Sequence, residues 1–89
     1  IILMNINELI AIVKNKLEME IVIQDLKIED KSFLHKNHKG HQEGKFHLKL
    51  IIKSEELTKL NKIDSTKKVY GVLNIELKEY IHSIQIALN

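Results

Sequence analysis

The chain has 89 residues, 44% of them hydrophobic, with fourteen lysines, no arginine, twelve acidic residues and a formal charge of +2. That length makes one domain with one core, residues 1–89, and leaves little volume for a deep enclosed substrate pocket. The absence of cysteine excludes a disulfide framework, a thiolate nucleophile and any cysteine-ligated metal together.

Apolar runs such as Leu9-Ile10-Ala11-Ile12-Val13 fall far short of the roughly 20 residues that span a bilayer. No membrane contact and a reducing, cytoplasmic setting are therefore expected. Ile1, Ile2 and Leu3 precede Met4, which makes Met4 a candidate start of the natural chain.

Asn5-Ile6-Asn7-Glu8 has the form of a capping box, with Asn5 as N-cap and Glu8 at the third helical position. Ile6, Leu9, Ile10, Val13 and Leu17 follow at helical spacing and predict a helix over about 6–18. The β-branched stretch 20–28 reads as a strand, although its alternation is not clean. Residues 29–44 are polar and hold Gly40 and Gly44, two of the three glycines. A connection of that length is uncommon in a compact domain and usually functional or mobile.

Phe46, Leu48, Leu50 and Ile52 alternate with His47, Lys49, Ile51 and Lys53, the pattern of a half-buried strand. Ser54 is placed to cap a short helix with Leu57 and Leu60 inward. Val69, Val72, Leu73, Leu77 and Tyr80 share one face of a longer helix, expected over about 65–79 and capped by Asp64 or Ser65. Residues 81–88 close the chain as a strand in which His82, Ile84, Ile86 and Leu88 share a parity. The order α-β-β-α-α-β implies an α+β fold: an antiparallel hairpin, then a helical crossover to a parallel third strand. A three-stranded mixed sheet with helices packed on one face follows.

The histidines are the chemically informative residues. His35, His38 and His41 recur at every third position, followed by His47 and, far along the chain, His82. Neutral imidazole is the commonest nitrogen ligand for zinc, copper and iron, so such a loop has the donors to wrap a metal ion. A closed zinc site normally sets cysteine and histidine pairs at two tight spacings, and a solvated lysine-rich connection would show the same residues. By parity His82 belongs with the core-facing residues of its strand, yet it stands at the first turn, where core meets solvent. A ring there either bonds a nearby carbonyl or offers a nitrogen outward.

These features in this order resemble the BolA-like family over nearly the whole chain. Its acidic-x-Ser-x-x-His pattern is matched by Asp30-Lys31-Ser32-Phe33-Leu34-His35, and its next strand opens with a His-hydrophobic step, as His47-Leu48 does. The Val-Tyr pair of its long helix stands here as Val69-Tyr70, and its Ile-His-x-hydrophobic-x-hydrophobic segment as Ile81-His82-Ser83-Ile84-Gln85-Ile86. The family's basic Arg-His-Arg run is reduced to Ser65-Thr66-Lys67, and its Phe-x-Gly step to Leu57-Thr58-Lys59.

The resemblance implies a fold similar to class II KH domains and a non-enzymatic role. It implies partnership with a monothiol glutaredoxin, the pair sharing a 2Fe-2S cluster with glutathione, and no cluster on the isolated chain. The BolA side of such a cluster is held by a last-strand histidine and a loop histidine or cysteine, here His82 and His35, with His38 as substitute. Histidine in place of thiolate raises the cluster's potential, and since protonated imidazole cannot bind iron, a cluster labile in mild acid is expected.

The alternative is a DNA-binding regulator of the BolA type, with Lys59, Lys62, Lys67 and Lys68 approaching phosphates. The missing arginines and the absence of a Gly-x-x-Gly clamp count against it. An enzyme is disfavoured: Ser32, Ser54, Ser65 and Ser83 have structural uses as caps, turns or surface residues, and no phosphate-binding glycine pattern occurs. The isolated chain is expected to be monomeric. Whether the cluster is stored, delivered or sensed is not written in the sequence.

Overall fold

The computed structural model describes residues 4–32 and 46–89. Helix α1 spans Ile6–Glu20, and Asn5 caps it: the Asn5 Oδ1 accepts the Glu8 N–H at 2.8 Å while its Nδ2 donates to Glu8 Oε1 at 2.7 Å. Leu9, Val13 and Leu17 are buried along its inner stripe. Strand β1 is Asp25–Asp30, later than the stretch 20–28 that β-branching suggests. Glu20 still belongs to α1, and Ile21 and Ile23 pack into the core from an irregular linker, so their branching serves burial rather than pairing.

Strand β2, Phe46–Lys53, is central. It pairs antiparallel with β1, Leu26 opposite Ile52 and Asp30 opposite Leu48, and parallel with β3, Ile81–Leu88. Ser54 then caps α2, Glu55–Thr58; its Oγ accepts the Leu57 N–H and donates to the Val22 carbonyl at 2.7 Å, tying α2 to the α1–β1 linker. Leu57 is fully buried, whereas Leu60, expected inward, lies 38% exposed.

Helix α3, Lys62–Val72, begins earlier than the predicted start, capped by Asn61 rather than by Asp64 or Ser65. The Asn61 Oδ1 accepts the Asp64 N–H at 2.8 Å. The single long helix is in fact two. Leu73 leaves helical geometry at φ −98°, ψ 20°, and α4 follows as Asn74–Glu79. The predicted face survives the break, with Val69 and Leu73 fully buried and Val72, Leu77 and Tyr80 packed against the core.

The fold is therefore α+β: a mixed sheet in the order β1-β2-β3 with helices against one face. Leu48, Leu50 and Ile52 of β2 point into the helical layer with Ile84, Ile86 and Leu88 opposite them, and the odd-numbered residues of β2 line the other face. No helix among the described residues is long and apolar enough to cross a membrane.

Candidate metal-ligand site

The register of the parallel pair breaks where the site begins. Phe46 stands opposite Ile81 but His47 opposite Ser83, so His82 is an extra residue in β3. Such a bulge bends a strand and re-aims its side chains. Here it reverses the parity of the first turn. Ile81 is buried and Ile84 packs against the core, while His82, expected among the core-facing residues, is exposed. Uninterrupted alternation would have turned this imidazole inward with Ile84; the added residue turns it out.

Beneath His82 lies His47, on the sheet face away from the helices yet only 5% exposed. The two rings stack, centroids 4.9 Å apart and planes inclined by 27°. His47 Nδ1 lies 2.7 Å from Ser83 Oγ, a hydrogen bond available to either tautomer because a hydroxyl both donates and accepts. The His47 backbone bonds on both sides to the end of β1: its N–H donates to Ser32 Oγ at 3.0 Å, and its carbonyl accepts the Lys31 N–H at 2.7 Å. Ser32 is held in turn by its own N–H, which donates to Asp30 Oδ1 at 2.9 Å. The acidic-x-Ser pattern thus closes β1 with an Asx-type turn.

His35 and His38, the loop ligands named from the sequence, lie outside the described residues, as does His41. Among the described residues no three His, Cys, Asp or Glu side chains converge to hold a metal ion. Among the described residues, the site presents one exposed imidazole, that of His82, on a braced seat.

The lysines of the alternative reading lie elsewhere. Lys62 and Lys67 are exposed on α3. Lys68 is engaged, its Nζ 2.6 Å from Glu56 Oε2. That bond, with the Val22 N–H donated to Oε1, holds the Glu56 carboxyl below its usual range. An open groove of about 610 Å³ is lined by Lys16, Met19, Glu20, Lys67, Lys68 and Gly71. Lys16 and Lys68 are both spent on carboxylates and Glu20 opposes them, so its field is weakly positive at most. On β1, desolvation raises the Glu29 carboxyl, but Lys31 and Lys27 outweigh it and its pKa is lowered.

Two features escaped the sequence reading. His47 figured there as one of the histidines and as a strand-opening residue, with no role beside His82, although its odd position in β2 already sets it apart from the core. The ion pair between Lys16 and Glu76, 2.6 Å long with the Glu76 side chain 5% exposed, links α1 to α4. Its signal was a glutamate in helical phase with Val69, Val72 and Leu73.

The chain is thus an αββαααβ domain with a mixed three-stranded sheet and an outward histidine at the start of the parallel strand, the fold class of solved BolA domains. Residues 17–89 match the family described as BolA-like protein, and the chain belongs to that family. It is 30% identical over 77 residues to the DNA-binding transcriptional regulator BolA of Haemophilus influenzae, covering 86% of this chain and 72% of the relative. The BolA domain of SufE1 from Arabidopsis thaliana superposes with a TM-score of 0.76 at 27% identity, covering 97% of this chain and 93% of that one. BolA1 from Arabidopsis thaliana gives 0.74 at 28% identity, with 89% and 87% covered.

Proposed function

We propose that this protein is a non-enzymatic partner of a monothiol glutaredoxin, with which it shares a 2Fe-2S cluster through histidine in iron–sulfur trafficking or iron sensing. The observation that carries the reading is the bulge at His82, which spends a strand irregularity on presenting an imidazole to solvent. Bulges concentrate beside functional sites for this reason. Family membership supports it.

Bound between the partners, the cluster supplies a transferable iron centre whose potential rises when histidine replaces thiolate. The chain's own work is simpler. His82 offers one ring nitrogen, and His47 backs the ring on its inner side. Ser32 and Lys31 hold the start of the segment that carries His35, the second proposed donor, with His38 as its substitute. The glutaredoxin and glutathione provide the thiolates.

The test is reconstitution. Mixing the chain with a monothiol glutaredoxin, glutathione, iron and sulfide is expected to give visible circular dichroism distinct from that of the glutaredoxin alone, and His82→Ala is expected to abolish the difference. An unchanged spectrum on mutation would remove the ligand assignment.

A second reading, DNA binding, is favoured by the similarity to the DNA-binding transcriptional regulator of Haemophilus influenzae. Lys62 and Lys67 would then contact phosphates from α3, with Lys68 joining only by leaving Glu56. Affinity should fall with salt at a log–log slope of about −0.9 per phosphate contact. An anisotropy titration at physiological salt decides: binding weaker than micromolar, unaffected by Lys62→Ala with Lys67→Ala, disposes of it.

A further inference from the structure

The contacts of His47 exceed what packing a strand requires. Its backbone takes hold of Lys31 and Ser32, its Nδ1 is fixed by Ser83, and its ring face is laid against His82. From these contacts we infer that His47 is the positioning residue of the His82 ring, with Ser83 as the lock that sets the His47 ring plane. The inference rests on the proposed function, and names what in this chain holds its exposed donor.

The argument is one of freedom. An exposed histidine on a strand samples several rotamers, and a donor must be in one of them to bind. A flat ring at 4.9 Å, inclined by 27°, limits the second torsion of His82 to orientations that keep the two faces together. The seat must itself be rigid to do this. His47 is 5% exposed, and the bond to Ser83 removes its remaining choice of ring flip. Because Ser83 is the residue directly after His82, the bulge that turns the ligand outward also delivers the hydroxyl that locks the seat. The His47 backbone also anchors Ser32 and Lys31. One side chain and one peptide unit thus tie the start of β3 to the end of β1.

Three substitutions separate the parts. Ser83→Ala removes the lock and keeps both rings; His47→Phe keeps a flat face and removes the bond; His47→Ala removes both. The readout needs no cluster. In aromatic carbon–proton NMR of the isolated chain, the His82 ring protons are expected upfield of a free histidine because of the neighbouring ring. They should return toward the free position in His47→Ala, and in Ser83→Ala move part of the way. His47→Phe should retain the upfield shift. With the glutaredoxin complex, loss of the stack is expected to weaken cluster retention roughly twofold to tenfold, the scale of an aromatic pair. His47→Phe should rescue most of it.

His82 ring signals that stay put in all three variants, with thermal melts showing them folded, would overturn the positioning role. So would equal cluster retention in His47→Ala and the unmodified chain. Should His47→Ala fail to fold, Ser83→Ala and His47→Phe carry the test alone. The failure of the proposed function is a different result: a cluster spectrum indifferent to His82→Ala, whatever the ring signals do.

Discussion

Glu76 is buried with one carboxylate oxygen on Lys16 and the other without a hydrogen-bond partner among the described residues. The two members of this pair stand in different places, because the Lys16 side chain is 37% exposed and that of Glu76 is 5% exposed. Removing the lysine strands a charge in the interior, while removing the glutamate leaves a cation that can reach water. Lys16→Met should therefore destabilise the fold by about 2 kcal/mol, discounted from a fully buried pair because part of Lys16 is already solvated. Glu76→Leu should cost less than about 1 kcal/mol, since an apolar replacement of a buried ion is often neutral. Urea unfolding of the two variants measures the difference, and equal losses would count against the asymmetry.

At this scale the site was half legible. The resemblance to the BolA-like family marked His82 through its Ile-His step and the end of β1 through its acidic-x-Ser pattern. The direction of the His82 ring was not legible. Parity assigned it to the core side, and a bulge, which leaves no mark in an alternating sequence, reversed it. The role of His47 was hidden for another reason: its meaning comes from Ser83 and Ser32, remote in sequence and indistinguishable from ordinary surface serines until the strands are paired.

Among the elements, α3 shows what patterning conveys and what it misses. The apolar stripe runs unbroken from Val69 to Tyr80, so the turn at Leu73 between α3 and α4 could not be read from it. The stripe depends on which residues face the sheet, and both helices turn the same side inward. Gly71 belongs to the opposite side of α3, exposed, with nothing within 4 Å of where a Cβ would stand. Glycine in a helix costs roughly 0.5–1 kcal/mol relative to alanine, through the freedom it gives the unfolded chain. Gly71→Ala is expected to stabilise by that amount, read as a higher melting midpoint; a lower one would mean that the helix needs the bare backbone there. The late start of β1 has a similar origin, since Ile21 and Ile23 satisfy the core without joining a ladder.

For the whole molecule the topology was legible where the connection lengths constrained it. An antiparallel hairpin followed by a helical crossover admits few arrangements of three strands, and the observed order is the expected one. The spatial meeting of the two histidines followed from no local rule, since it depends on the parallel register. Ser83 lies 36 positions beyond His47, across the entire helical crossover. Contacts so distant in sequence bear the full entropy of loop closure, and they form only once the intervening helices have packed. The imidazole seat is consequently absent from a nascent chain and is lost whenever the C-terminal strand peels away. The stacked pair of imidazoles is in this way a certificate of completed folding: it exists only in the finished domain.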